Sequence, residues 1–419
     1  MDNKTAVERL QELQKKCGYQ SHSVLTEYIN RMGYANIESM LKDMGVPADS
    51  LGKRSIEIKQ IINELFTNVP SQYENPLLYS VLNDLFSDVS SQAEKLLDHE
   101  KYHFPKKLTY GTLDIGEFTA FVENGIEQED YLIVVSSGLF GFANLLAKCI
   151  GMLIENKKNE KVFTYSLASK DIDQALAKRH EPILRFIDLI MGYVWTGNPH
   201  SAQQYNPVGA QLGAISSIIR KAFELFVVGH EYSHILLGHL SKKAVLNGER
   251  TQHIQFNNDQ LNIIVQNWED EIAADYLSSQ LVLSSLHQEG FDFGTSFLGI
   301  DITLLTLSML ESLREQKKNK VLSYETHPPG ELRRNLIKQL YIDLDSKVSE
   351  TVKQISDSNE HIFDCLWKRF IFVLKEMEQL FKSIKLPSIY QISNYYFLRS
   401  LIYRIGDTML SKYDEQNHN

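Results

Sequence analysis

The residues with the clearest chemical potential are His230, Glu231 and His234, set in the segment LFVVGHEYSHILLGHL. On a helix, positions four apart lie about 40° apart around the axis, so the two imidazoles project from one face and can share a metal ion. Glu231 falls about 80° from the midpoint of that pair, beside such a metal rather than on it. A carboxylate placed there can take a proton from water. Neutral imidazoles suit zinc, and one further protein ligand leaves a fourth position open. The pattern fixes only three residue types, so an apolar helix whose histidines are satisfied by neighbouring carbonyls is the competing reading.

The third ligand decides more. One continuation of this motif places a glycine and a further histidine three and six positions after the second histidine, but Leu237 and Leu240 stand there. His239 falls on the far side of an uninterrupted helix from His230 and His234, which makes it a structural or surface histidine. The stretch WEDEIAAD at 268–275 offers Glu271 and Asp275 four apart, with Ala273 and Ala274 small enough for close helix packing. Glu271 would complete the coordination, with Glu269 and Asp270 as less well phased alternatives. Asp275 could accept a hydrogen bond from a ligand histidine and fix its tautomer. A solvated acidic helix start is the ordinary alternative for these carboxylates.

The elements that must hold these residues read as mostly helical. Residues 1–104 carry only helical patterns, with breaks at Cys17-Gly18, Gly45-Val46-Pro47 and Pro70-Ser71. From 105 to about 345 the texture changes. KLTYGTLD is a candidate strand, and YLIVVSSGL is the clearest strand, with an edge that could pair an extended peptide. A helix follows to about Ile154, then NKKNEK as a polar loop. The 209–240 segment is a long helix with an apolar stripe through Ile215, Ile218, Ile219, Ala222, Phe223 and Phe226. Helices are also expected over 265–287, 299–315 and the ELRRNLIKQLYIDL segment, and residues 346–419 form a helical C-terminal extension. The GNPHSAQQY loop ahead of the long helix is a rim, a lid or a solvated connection.

HEYSH followed by EIAAD, and then Thr326-His327-Pro328-Pro329 with Arg333 and Arg334, resembles the gluzincin metallopeptidases, nearest the CAAX prenyl protease and HtpX-type group. The resemblance covers about residues 130–340, including the strand ahead of the motif helix. It implies an α+β zincin-like core with a small sheet, flanked by helical N- and C-terminal regions. It implies one Zn2+ per chain bound by His230, His234 and Glu271, with Glu231 as catalytic base and Asp275 supporting a ligand. His327 would lie near the cleft and stabilise charge, or only cap a helix in a Pro-rich turn. Arg333 and Arg334 would steer a substrate carboxylate or form ordinary salt bridges. Those families are commonly membrane-embedded or exported. A chain with helical extensions and no such segment is closer in style to the phage-exclusion peptidases of the Lit type.

Composition sets the outer bounds. The 419 residues are 43% hydrophobic and 23% charged, enough to bury a sizeable core. Lys and Arg number 43 against 53 Asp and Glu, and the formal charge of −10 argues against nucleic acid as a partner. Cys17, Cys149 and Cys365 are widely separated, which excludes a disulfide framework and a paired-cysteine zinc site. The N-terminus carries no secretory signal, no membrane span is expected from 132–154 or 296–314, and the cytoplasm is the expected compartment. The expected function is a zinc-dependent endopeptidase acting on a protein or peptide. The alternatives are a defence or toxin-type protease silent until triggered, and a helical interaction protein with a structural zinc. The helical flanks could serve a partner or self-association.

Overall fold

A computed structural model describes residues 5–17, 35–43, 47–57, 60, 69–124, 130–159, 162–205, 210–240, 259–318 and 328–417. The chain is α+β and mostly helical, with a small three-stranded mixed sheet. The sheet consists of β1 (Lys107–Leu113), β2 (Ala120–Asn124) and β3 (Asp130–Ser136), in the order β1-β3-β2. β3 runs parallel to β1 and antiparallel to β2.

All seven residues of β3 are buried. Tyr131, Ile133 and Val135 join the main core, whereas Leu132 and Val134 face Ala6 and Leu10 of α1 (Ala6–Lys16). A strand covered on both faces has no solvent side to alternate towards, which is why YLIVV reads as a continuous apolar run. The expectation that this strand offers an edge to a peptide is corrected by its position, because β1 and β2 occupy both of its sides. The sheet's edges are β1 and β2. The AFVEN segment of β2 was not expected from sequence, being short and half-buried.

After α2 (Ile37–Asp43), the next described helix is α3 (Pro76–Leu96), whose Asn75 side chain accepts the first free backbone N–H groups. Ser136 ends β3 and caps α4 (Ser137–Leu153) through a hydrogen bond from the Leu139 N–H. NKKNEK is not a plain loop: β4 (Glu155–Asn159) pairs antiparallel with β5 (Val162–Ser166). VFTYS is a strong strand former, and backbone pairing recruits the polar ENKKN segment regardless of its side chains. α5 (Ser169–Lys178) and α6 (Glu181–Thr196) follow.

α7 (Ala210–Leu236) carries the histidine motif and lies against α3, α4, β2 and β3, and against α8 (Asp259–Gln288) and α9 (Phe293–Lys318). Its Ile215, Ile219, Ala222, Phe223 and Phe226 are buried. α10 (Gly330–Ile342), α11 (Ser346–Ser383) and α12 (Tyr395–Asn417) complete the fold. One continuous buried cluster runs from Leu82 to Leu410 and draws on all of these regions. The stretch Phe293–Leu313 is long and apolar enough to cross a membrane, but 67% of it is buried, and Asp301 within it pairs with Arg334.

Glu74 stands out in the packing beside the sheet. Its side chain is buried, and it accepts from the Thr112 N–H at 3.0 Å, the Gln14 amide at 2.8 Å and the Thr112 hydroxyl. Burial raises its pKa from 4.5 to about 7, against the pull of those hydrogen bonds. The fold therefore favours the neutral acid, so its contribution is complete below pH 4.5 and is lost as pH rises through 7. Glu74→Gln should leave stability unchanged near pH 4.5 and raise it by about 2–3 kcal/mol above pH 7, because Gln14 Oε1 has no partner and can accept from the new amide. Urea unfolding across that range checks this; equal gains at both ends would remove the titration argument.

Candidate metal centre

The metal-ligating side chains converge because α7 and α8 pack unusually closely. A Cβ at Gly229 would come within 2.7 Å of Ser278 Oγ, whose hydroxyl donates to the Phe226 carbonyl at 2.7 Å. One turn away, buried Ala274 keeps the same face of α8 flat. Within HEYSH the other side chains anchor the helix. Tyr232 packs edge-on against Phe86 of α3 at 5.1 Å, and the Ser233 hydroxyl returns to the Gly229 carbonyl at 2.6 Å.

His230 Nε2 and His234 Nε2 lie 3.2 Å apart, and each is 3.3 Å from a different carboxylate oxygen of Glu271. A tetrahedral zinc with bonds of about 2.0–2.1 Å sets its donor atoms about 3.3–3.4 Å apart. The spacing of these three side chains thus fits a metal ion, and His230, His234 and Glu271 are a group able to hold one. The site is enclosed, with His230 and Glu271 each 7% exposed.

The outer hydrogen bonds point the right lone pairs inward. His230 Nδ1–H donates to Asp275 Oδ1 at 2.9 Å, which leaves its Nε2 lone pair for the centre. Asp275, fully buried, is held in turn by the Arg333 fork: Nε donates to Oδ2 at 2.7 Å and Nη2 to Oδ1 at 2.6 Å. His234 Nδ1 lies 2.9 Å from His239 Nδ1, and His239 Nε2 lies 3.3 Å from Asp270 Oδ1. Every contact is satisfied when His234 Nδ1–H donates to His239 and His239 Nε2–H donates to Asp270. That assignment again turns an Nε2 lone pair towards Glu271.

His239 corrects the sequence reading, which placed it on the far side of the helix. The helix ends at Leu236, and Gly238 takes a left-handed φ of +71°, so the 100° step no longer applies at His239. The signal was present, since glycine just past a periodic segment marks a helix end. Asp270, weighed as a third ligand, instead serves His239.

Electrostatics concentrate on the same atoms. Burial opposes protonation of His230, but its hydrogen bonds to Asp275 and Glu271 and their charges outweigh burial and hold its pKa up to about 10. Burial likewise opposes ionisation of Glu271, yet His230, His234 and Arg333 keep it well below the usual carboxylate range. An environment that holds a proton this firmly also favours a divalent cation, and the two compete for the same lone pair. Glu231 is buried, beside His230 in the chain.

Other expected residues fall elsewhere. Arg333 and Arg334 both form buried bidentate pairs, Arg334 with Asp301 at 2.7 and 3.1 Å. Glu269 is exposed on the outer side of α8. The GNPHSAQQY segment is tied down rather than free: His200 Nε2 reaches the Ser137 carbonyl, the Gln203 N–H donates to Asp188, and Arg399 donates to the Ser201 carbonyl. His327 lies outside the described residues, as do Tyr324 and Thr326. No protein-family model matches the chain, and no curated protein or solved structure matches it.

Two substitutions separate outer support from coordination. His239→Ala and Asp275→Asn should each weaken zinc binding by about 10–100-fold while leaving one zinc per chain at saturation. Competition against a chromogenic chelator measures this, with circular dichroism confirming the fold. Unchanged affinity in both would show that the outer hydrogen bonds do not tune the centre.

Proposed function

We propose that the chain is a zinc-dependent endopeptidase of the gluzincin kind, with a zincin-like core built around α7 and α8. The observation that carries this reading is the near-equilateral spacing of His230, His234 and Glu271, next to a buried glutamate on the following residue. His230, His234 and Glu271 would hold the ion, and Asp275 and His239 would orient the two imidazoles. Zinc, when bound, supplies a Lewis acid that polarises a carbonyl and acidifies water.

The chain's own residues do the rest. Glu231 accepts a proton from the attacking water as the new C–O bond forms, then passes that proton to the departing amine as the C–N bond breaks. Arg333 is committed to Asp275 and takes no part with the substrate. Its role is to keep Asp275 ionised, since its charge lowers that carboxylate against the effect of burial. The substrate would enter as an extended peptide. Among the described residues β2 pairs only with β3, and its last residue, Asn124, donates to the Leu240 carbonyl just beyond the motif at 2.8 Å. The outer edge of β2 thus runs beside the C-terminal end of the motif helix and could add a substrate strand. A purely structural metal would have no use for Glu231, which weighs against a non-catalytic interaction protein.

Glu231→Gln should bind about one zinc per chain and lose cleavage by at least roughly 1,000-fold, whereas His234→Ala should lose both zinc and cleavage. The measurement is mass spectrometry of a proteome-derived peptide library incubated with each protein, alongside elemental analysis. Cleavage by Glu231→Gln at the wild-type rate would end the assignment of the base. Zinc retained in full by His234→Ala would end the assignment of the site.

A further inference from the structure

We infer that Asp173, His361 and Cys365 form a second zinc site, separate from the α7–α8 centre, that clasps α5 to α11. His361 and Cys365 are four apart on α11, the same spacing that lets His230 and His234 share an ion. Asp173 comes from α5, more than 180 residues earlier in the chain. Three different ligand types thereby meet at one point: His361 Nε2 is 2.7 Å from Asp173 Oδ1 and 3.8 Å from Cys365 Sγ, and Sγ is 4.0 Å from Asp173 Oδ1. Imidazole, thiolate and carboxylate together suit a borderline-soft divalent ion, which favours zinc over calcium or magnesium.

The fit needs only side-chain adjustment. A tetrahedral zinc sets nitrogen and oxygen about 3.3 Å apart and sulfur about 3.5 Å from either. The His361–Asp173 contact must open by about half an ångström, and the sulfur must approach by a few tenths. Asp173 is 52% exposed at its side chain and His361 is 29% exposed, so both can move, and solvent can supply a fourth ligand. On binding, the Cys365 thiol proton leaves to solvent, and the proton on His361 Nε2 is exchanged for one on Nδ1. Burial raises the Cys365 thiol, partly offset by the charge of Arg369, so the ion must supply the pull that removes that proton.

Cobalt separates this site from the first, because His230, His234 and Glu271 contain no sulfur. In a Cys17→Ser protein, titration with Co2+ should raise a thiolate-to-cobalt charge-transfer band in the near ultraviolet, and added zinc should bleach it. His230→Ala should keep the band, Cys365→Ser should abolish it, and His361→Gln should weaken the affinity behind it by tenfold or more. Absence of the band in the Cys17→Ser protein would overturn the proposal. So would its persistence at full strength in Cys365→Ser or an unchanged affinity in His361→Gln. Two variants guard against one that fails to fold.

Discussion

The charge on Asp275 is the constraint around which the centre is organised. A carboxylate with no exposed surface is tolerated only when paired, and here two partners share it: the Arg333 fork and the His230 imidazole. Neither partner would be well placed without the other. Arg333 fixes the carboxylate plane, that plane fixes the ring of His230, and the ring aims one lone pair at Glu271. The close approach of α7 and α8 at Gly229 and Ser278 makes this geometry possible, because a bulkier contact there would move Asp275 away from His230.

The neighbouring arginine extends the same logic in another direction. Arg333 and Arg334 are adjacent on α10, so their side chains leave the helix about 100° apart. Arg333 reaches α8, while Arg334 reaches Asp301 on α9 and the Ser356 carbonyl on α11, where Asn359 also donates to Asp301 at 2.9 Å. Two consecutive residues thus join the metal-ligating helices to the C-terminal helices through buried charge. This also explains an acidic residue in the middle of the most apolar helix: Asp301 is neutralised where α9, α10 and α11 meet.

Much of this was legible in the sequence because it rests on local periodicity. The four-residue spacings of His230 with His234 and of Glu271 with Asp275 survive into the structure, since both pairs sit within unbroken helices. The apolar stripe of α7 and the β-branched run of β3 were readable for the same reason. What escaped depends on chain reversal or on partners far away. His239 was misplaced because a helical angle was carried past Gly238. β2 and β4 lack a pattern of their own and are strands only because β3 and β5 pair with them. Cys365 looked isolated when cysteines were compared only with cysteines; its neighbours are a histidine one turn back and an aspartate from another helix.

The arginine pair on α10 also bears on how short a chain can be and still keep this centre. Ending it before α11 would leave Arg334 and Asp301 without Ser356 and Asn359, exposing a half-satisfied charge pair one residue from Arg333. At the other end, Tyr232 leans on Phe86, so the motif helix borrows part of its footing from α3. The smallest self-sufficient piece thus reaches from α3 to beyond Asn359, well outside the segment that carries the ligands.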